Sequence, residues 1–373
     1  MKWLFWGSVA LIAYTYAGYP LWLWLRGALC PWPVRRGKSD PFVSIVMVVQ
    51  NEGRVLAGKI DNVLDLDYPP ERLQVVVVSD GSTDNTENIL HEYAQDTRVQ
   101  VLLNELPKGK ASGLNDAMER AQGEIVIFTD ARQKLEQGSL RALLADFADP
   151  LVGCVSGELM LGDPGQGEAG RGMGAYWRLE KRIRELESCS GSVVGATGAF
   201  YGVRRDLLEP IPRETLLDDV LIPMQIVRSG KRVVFEPEAR AWDVADQGGE
   251  REFARKVRTL SGNYQLLQLA PWLLGRDNPI RFEFVSHKLL RLLVPFGLLF
   301  CLCGSVFLPG PFFRIVLAAQ VIFYALSLVG MAGIKSGVFY RLGDAAYTFV
   351  LLNTAALVAF ANFVSGRKAA WTR

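Results

Sequence analysis

The sequence is poor in the residues that build many common catalytic and metal sites. Only two of its 373 residues are histidines, His91 and His287, and neither accompanies a recognisable nucleophile motif. This excludes a serine–histidine–aspartate triad and a histidine-based metal site. The five cysteines are widely spaced, and two of them lie in one apolar run, so they form neither a disulfide framework nor a zinc site. An enzyme of this composition must therefore use carboxylates, lysines and arginines.

Several nucleotide and nucleic-acid signatures are also missing. No GxGxxG follows the first predicted strand, and no GxxxxGK[ST] occurs anywhere in the chain. These absences exclude a dinucleotide fingerprint and a P-loop. The formal net charge is only +2, and no basic block is interleaved with aromatic residues. Nucleic acid is therefore not a predicted partner.

Long apolar runs lie near both ends of the sequence. Residues 3–25 carry no charge, are long enough to span a bilayer, and have tryptophans and tyrosines at both ends. A cleaved signal peptide is the alternative, but the run is too long and ends in LWLWLRG instead of a small-residue cleavage site. We therefore predict an N-terminal transmembrane anchor at 1–27 and about three transmembrane helices within 285–365.

Basic residues flank the region between these runs. Those that follow the first run or begin the second are Arg26, Arg35, Arg36, Lys38, Lys288 and Arg291. Because such residues stay preferentially on the cytoplasmic side, they predict a cytoplasmic domain at 40–270, held at the cell (inner or plasma) membrane. The lipid bilayer is thus a predicted partner.

The middle of the chain has the pattern of an α/β domain. Near-continuous apolar segments predict strands at 43–49, 73–79, 99–103 and 124–129, and the intervening segments predict helices at 52–65, 85–95 and 110–121. Continuous apolar strands are typical of sheets covered on both faces, and alternation with helices indicates parallel crossover units. The sequence predicts an open, mostly parallel, doubly wound sheet.

Polar residues follow three of these strands directly. Asn51 and Glu52 follow the first strand, Asp80 ends the second, and Asp130 ends the fourth. Ligands of such sheets bind outside the carboxyl ends of the strands, so these groups would share one crevice. Each has an ordinary alternative, because Asp and Asn also cap helices and form turns. The coincidence at three strand ends favours a binding site.

The same segments carry a family resemblance. VSIVMVVQNE, VVVVSDGSTDNT and LPKGKASGLNDAMERAQGEIVIFTDA resemble the family 2 glycosyltransferases with the GT-A fold. The resemblance covers about 40–265 and is to the membrane-embedded branch that includes cellulose, hyaluronan and poly-N-acetylglucosamine synthases. It implies inverting transfer of a sugar from a nucleotide-sugar, with UDP-sugars favoured, to a glycan or lipid-linked acceptor. It also implies Mg²⁺ or Mn²⁺ as cofactor and a possible partner in export or assembly.

The resemblance assigns roles to individual residues of this chain. The residues on the nucleotide-sugar side are Asn51, Glu52, Asp80, Lys110, Asp130, Arg132, Arg255 and Arg258, and Asp130 is also the metal ligand. In TLLDDV, Asp219 is the candidate base, with Asp218 beside it. The residues on the acceptor side are Gly195, Thr197, Gly198 and Thr259.

Two positions depart from the family pattern. Arg132 stands where the second aspartate of the DxD motif is expected, and Thr259 stands where the tryptophan of the Q/R-x-x-R-W motif is expected. The missing tryptophan weakens an assignment as a processive polymerase, because it would stack on the acceptor sugar. The arginine leaves open a catalytically inactive homologue that binds nucleotide-sugar or scaffolds an assembly complex.

The candidate site residues in the second half of the domain also have alternative interpretations. Asp218 and Asp219 would interact favourably with the dipole of the helix that they begin, whether or not they are catalytic. Arg255 and Arg258 would also suit the polar face of an amphipathic helix at a membrane surface. We predict interfacial helices near 175–188 and 250–269.

Overall fold

The computed structural model describes residues 1–162, 175–243, 249–332 and 337–367. Parts of the predicted domain 40–270, at 163–174 and 244–248, lie outside the described residues. The strands are β1 Val43–Val49, β2 Leu73–Asp80, β3 Val99–Asn104, β4 Ile125–Thr129, β5 Lys134–Leu135, β6 Val152–Leu161, β7 Phe200–Arg204 and β8 Arg232–Asp243.

The helices alternate with the strands and then continue alone. They are α1 Lys2–Ala13, α2 Tyr19–Leu29, α3 Leu56–Leu64, α4 Thr86–Tyr93, α5 Lys110–Arg120, α6 Ser139–Ala145, α7 Ala175–Ser190, α8 Asp218–Arg228, α9 Gly249–Leu269, α10 Arg281–Phe284, α11 Leu290–Phe307, α12 Pro311–Met331 and α13 Gly337–Val364. The four predicted strands and three predicted helices of the first half are confirmed, with shifts of a few residues at their ends.

The strands form one eight-stranded sheet in the order β3-β2-β1-β4-β7-β6-β8-β5. β3, β2, β1 and β4 are parallel, as the sequence predicts. The other half is mixed: β7 is antiparallel to β4 and to β6, β6 is parallel to β8, and β5 is antiparallel to β8. The α/β class is confirmed, and the sheet as a whole is a mixed one.

Two apolar cores cover the faces of this sheet. Side chains of α5 and α8 pack on one face, and side chains of α3, α4 and α6 pack on the other. All residues of β1 and β2 are buried, which explains their near-continuous apolar sequences. The carboxyl ends of β1, β2 and β4 therefore open at one edge, where the polar residues after them meet.

Three helices of the described residues are long and apolar enough to cross a membrane. They are Arg281–Phe307, Pro311–Met331 and Leu342–Val364. The first of these includes α10 and α11 with a π-helical turn, Val285–Leu289, between them. This agrees with the prediction of about three transmembrane helices within 285–365. Helices α7 and α9 match the segments predicted as interfacial, and their position at a membrane surface stays a prediction.

The N-terminal segment is helical but is not among these candidate spans. A π-helical turn, Tyr14–Gly18, joins α1 to α2. Tryptophan, tyrosine and glycine replace aliphatic residues along this segment, which lowers its hydropathy. α1 packs against α11, with the Leu11 side chain beside Gly297 and the Phe5 ring beside Gly304. The anchor predicted at 1–27 thus stays a prediction.

The close approach of β1 to the turn before β4 gives a test of the fold. A Cβ on Gly123 would lie 2.4 Å from the backbone nitrogen of Ser44 and 2.6 Å from the carbonyl carbon of Val43. Gly123→Ala should therefore lower the free energy of unfolding by about 1–3 kcal/mol. Gly58→Ala is the control, because no atom lies near its added Cβ on the exposed face of α3. It should raise stability by about 0.5–1 kcal/mol. Equal thermal-unfolding shifts in detergent would contradict this packing.

Candidate active site

Asn51 joins the tips of β1 and β2. Its side-chain Oδ1 accepts a hydrogen bond of 2.7 Å from the backbone N–H of Thr83, and its own N–H donates to Ser82 Oγ at 3.1 Å. Its φ is +56°, a left-handed conformation that asparagine adopts more readily than most residues. Asn51 therefore fixes the first strand tip to the turn after the second. Its predicted contact with a donor stays a prediction.

Glu52 faces the residues at the tip of β4. Its backbone N–H donates to Thr86 Oγ1 at 3.0 Å. Partial burial raises the pKa of its carboxyl, Arg132 opposes this rise, and Asp130 and Asp84 add to it. Glu52 and Arg132 are thus close enough to interact electrostatically across the crevice. Arg132 is exposed and follows Asp130 by two residues.

Asp80 is fully buried and is bonded to the segment that leads into α5. Its Oδ1 accepts from the backbone N–H of Lys108 at 2.7 Å, and its Oδ2 accepts from that of Gly109 at 2.9 Å. The next residue, Lys110, begins α5. In this structure, Asp80 therefore sets the position of Lys110, and its predicted contact with the nucleotide base stays a prediction.

Lys110 connects the two sides of the crevice. Its Nζ lies 3.0 Å from Asp130 Oδ1 and 3.4 Å from Asp218 Oδ1. Burial opposes the charge of this ammonium, but Asp130 and Asp218 outweigh it and raise the pKa of Lys110 above its usual value. Lys110 is therefore a firmly charged bridge between β4 and α8.

Asp219 lies beside this bridge, in the first turn of α8. Burial and the neighbouring Asp218 raise the pKa of Asp219 to about 6, and Lys110 partly opposes the rise. Its Oδ2 accepts from the backbone N–H of Gly198 at 3.2 Å, and its backbone oxygen accepts from that of Ala196 at 2.7 Å. A carboxylate with a raised pKa and a fixed position is suited to accept a proton near neutral pH.

The loop predicted for the acceptor side wraps around Asp219. Gly195 has φ +89°, and a Cβ there would lie 3.2 Å from the backbone oxygen of Asp219. Only glycine adopts this conformation readily, so the loop can approach α8 closely. Thr197 is buried, and its N–H donates to Ser156 Oγ at 3.1 Å. The structure thus brings Gly195, Thr197 and Gly198 to the candidate base.

Helix α9 contributes Arg258 to the same cluster. Burial lowers the pKa of Arg258, whereas Asp218, Asp130 and Asp219 oppose this by favouring its charge. Thr259 is exposed, and its hydroxyl donates to the backbone oxygen of Arg255 at 3.0 Å. Within the described residues, no ion pair joins Arg255 to these carboxylates. Of the three predicted residues on α9, only Arg258 interacts with the centre of the site.

Two buried polar residues near the site were not identified from the sequence. Lys59 on α3 donates from Nζ to Thr129 Oγ1 at 2.9 Å and to the backbone oxygen of Gln133 at 2.6 Å. Tyr201 on β7 is fully buried and stacks on Phe128, with 4.7 Å between ring centroids. A signal for Lys59 existed, because it occupies a core position of α3 in an otherwise apolar pattern.

The donor groups can be tested against the predicted divalent cation. Among the residues that the structure describes, no group of three acidic, histidine or cysteine side chains gathers as a complete metal cage. Mg²⁺ usually needs only one or two protein carboxylates together with substrate phosphates and water. Asp130 meets this need, because its side chain is 40% exposed at the strand tip and Lys110 approaches its Oδ1. A metal held jointly by Asp130 and a diphosphate therefore fits this site.

Comparisons with known proteins agree with this geometry. Residues 44–211 match the family model described as "Glycosyl transferase family 2". The poly-beta-1,6-N-acetyl-D-glucosamine synthase of Staphylococcus epidermidis is 21% identical over 234 residues, which are 62% of this chain and 56% of that protein. The synthase of the same name from Staphylococcus aureus (strain COL) is 21% identical over 229 residues, 60% and 55% of the two chains. The chain thus spans about half the length of the curated relatives it matches.

A solved structure supports the fold along the whole chain. The mannosyltransferase PcManGT from Pyrobaculum calidifontis, in complex with GDP-Man and Mn²⁺, superimposes with a TM-score of 0.76 and 23% identity. The match covers 98% of this chain and 100% of PcManGT. At this identity the likeness shows the fold alone. The predicted GT-A-like sheet is confirmed.

The role of Asp80 in positioning the loop before α5 can be tested directly. Asp80→Ala removes the acceptor of two backbone N–H groups, so the free energy of unfolding should fall by about 1–3 kcal/mol. Asp116→Asn is the matched control, since the half-exposed side chain of Asp116 forms a long ion pair of 4.0 Å with Lys108, a pair that contributes little to stability. Thermal unfolding of both variants measures the difference. A shift no larger for Asp80→Ala than for Asp116→Asn would show that the two bonds do not hold the loop.

Proposed function

We propose that this chain is a membrane-bound, inverting glycosyltransferase, because residues 44–211 match the model of glycosyltransferase family 2. It transfers a sugar from a nucleotide-sugar to a glycan or lipid-linked acceptor during polysaccharide or glycolipid synthesis. The names of the staphylococcal relatives support the polysaccharide assignment.

The observation that carries this proposal is the Lys110 bridge between Asp130 and Asp218. Asp130 ends a strand on the donor side, whereas Asp218 adjoins Asp219 on the acceptor side. One ammonium therefore links the group suited to a diphosphate–metal pair with the group suited to proton abstraction. This juxtaposition supports direct transfer between two bound substrates.

The reaction follows from the position of Asp219. The acceptor oxygen forms a bond to the anomeric carbon while the bond from that carbon to the diphosphate oxygen breaks. The hydroxyl proton moves to the Asp219 carboxylate, and the electron pair leaves with the nucleoside diphosphate. A single displacement with one base inverts the configuration at the anomeric carbon.

Positively charged side chains stabilise the leaving diphosphate in this proposal. Lys110, Arg132 and Arg258 all lie at or near the donor-side carboxylates, and arginine forms bidentate hydrogen bonds with phosphate oxygens. Fixed cations aimed at developing negative charge are among the largest contributions to catalysis. A divalent cation on Asp130 would supply further positive charge to the diphosphate. The Mn²⁺ in PcManGT supports this cofactor.

The C-terminal helices support a membrane location and a membrane-associated acceptor. Three of them are long and apolar enough to cross a bilayer. The basic residues that flank the domain support a cytoplasmic orientation at the cell membrane. Thr259 at the position of the family tryptophan supports an acceptor other than a stacked growing polymer. A lipid-linked acceptor fits these features together.

A donor screen tests the proposal. Membranes containing the full chain are incubated with labelled UDP-sugars and GDP-sugars, with and without Mn²⁺, and nucleotide release is followed. The GDP-Man of PcManGT makes GDP-sugars a necessary arm of the screen. We expect release with one donor class and incorporation of its sugar into a membrane fraction. Binding without release under every condition would instead identify a donor-binding homologue without transferase activity.

The same assay tests whether Asp219 is the catalytic base. Asp219→Asn keeps the shape of the side chain but removes the base, so kcat should fall by about 10²- to 10⁴-fold while donor binding is kept. Asp206→Asn, at an exposed position away from the crevice, is the matched control and should retain activity. Unchanged turnover in Asp219→Asn would exclude Asp219 as the base.

The raised pKa of Asp219 predicts that, as pH increases through about 6, activity rises and the contribution of Asp219 to stability falls. Since Asp219 must be ionised to accept a proton, kcat/KM should fall about tenfold per unit as pH drops below about 6. Its folded pKa of about 6 lies above the usual 3.8, so its contribution to stability is present below 3.8 and is lost as pH rises through 6. At pH 7.5, Asp219→Asn should therefore have a higher Tm than the unsubstituted chain, and the difference should vanish near pH 4. A pH-independent difference in Tm would contradict this assignment.

A further inference from the structure

The buried side chain of Lys59 holds the turn that carries Asp130 and Arg132. Lys59 lies on α3, and the residue is only 3% exposed. Its Nζ donates to Thr129, the last residue of β4, at 2.9 Å, and to the backbone oxygen of Gln133, just before β5, at 2.6 Å. A single group thus bridges the two ends of the turn.

The charge of Lys59 is unusual for this environment. Within the described residues, no carboxylate lies at ion-pair distance from its Nζ. Burial lowers the pKa of Lys59 to about 7, and Asp130 partly opposes this. A buried ammonium without a direct ion pair is costly, whereas a neutral side chain of similar length would fill this space at lower cost. Packing alone therefore does not explain a lysine here.

The bonds of Lys59 extend to both sides of the proposed reaction. The Thr129 hydroxyl, which accepts from Lys59, donates to the backbone oxygen of Ala199 at 2.8 Å. Ala199 directly follows Gly198, whose N–H donates to Asp219. Through Thr129, Lys59 thus connects the donor-side turn with the loop that holds the candidate base, although Lys59 itself is buried.

We infer that Lys59 is a positioning residue for the donor diphosphate: it fixes the turn from Thr129 to Gln133 so that Asp130 and Arg132 face the phosphates. This inference rests on the proposed donor site. It adds a residue that touches neither the donor nor the acceptor.

Binding of UDP and GDP to the purified full chain, in detergent with Mn²⁺, tests this inference without requiring transfer. Lys59→Met keeps the length of the side chain but removes the charge and both donated bonds. The Kd of the bound nucleotide should rise about 10- to 100-fold, because the turn that carries Asp130 and Arg132 loses both of the bonds that fix it. Lys59→Gln keeps two N–H donors without the charge and should show a smaller rise.

Asn62→Ala is the matched control on the same helix. Asn62 is bonded to both backbone groups of Leu135, at 2.7 Å and 2.9 Å, and so holds α3 to β5 beyond the turn. It should lower the Tm but leave the nucleotide Kd within about twofold of the unsubstituted value, because it does not contact the turn. A rise in Kd for Asn62→Ala equal to that for Lys59→Met would show that Lys59 acts only through general stability.

The remaining outcomes separate this inference from the proposed function. If the unsubstituted chain binds UDP or GDP and Lys59→Met binds it equally well, Lys59 is not a positioning residue and the proposed function stands. If the unsubstituted chain binds neither nucleotide, both proposals are overturned. If Lys59→Met does not fold, Lys59→Gln decides, and an unchanged Kd in that variant overturns the inference.

Discussion

The arrangement of the site depends on the ammonium of Lys110. Its Nζ lies 3.0 Å from Asp130 Oδ1 and 3.4 Å from Asp218 Oδ1, so it separates two carboxylates that would otherwise face each other across the crevice. Repulsion between carboxylates raises their pKa values or separates them. Lys110 permits β4 and α8 to meet at this point, and the buried Asp80 fixes where Lys110 begins its helix. The geometry of the proposed reaction thus depends on Lys110, which is positioned by the loop bonded to Asp80 and by its ion pairs with Asp130 and Asp218.

Asp218 and Asp219 illustrate how adjacent residues acquire different roles. Asp218 is buried and lies 3.4 Å from the Lys110 ammonium, whereas Asp219 is half-buried and has no ion pair among the described residues. The charge of Asp218 is one cause of the raised pKa of Asp219. The two readings of this pair, helix-dipole residues and catalytic residues, are therefore compatible. They begin α8, and their unequal environments suit one of them to proton transfer.

The sequence predicted the first half of the domain well because its signals are local. β1 and β2 are near-continuous apolar runs, and the polar residues at or after their ends lie at adjacent strand ends. β6, β7 and β8 were not predicted, since their pairing is partly antiparallel and joins distant segments. Lys59 was missed for a related reason: its role depends on Thr129 and Gln133, which lie 70 and 74 positions away. Asp80 was predicted as a site residue, but its bonds to the loop before α5 appear only in three dimensions.

The first of the three candidate membrane-spanning helices also contributes to the electrostatics of the site. Lys288, within the first candidate span, lowers the pKa of Asp219 and so opposes the effect of burial. The same segment is tied to α7, because the ring nitrogens of His287 lie 2.8 Å from Glu187 and from Glu180. Movement of this segment against the domain would change both the distance from Lys288 to Asp219 and the basicity of that carboxylate. A domain cut away before residue 281 would therefore retain Asp219 in an altered electrostatic environment.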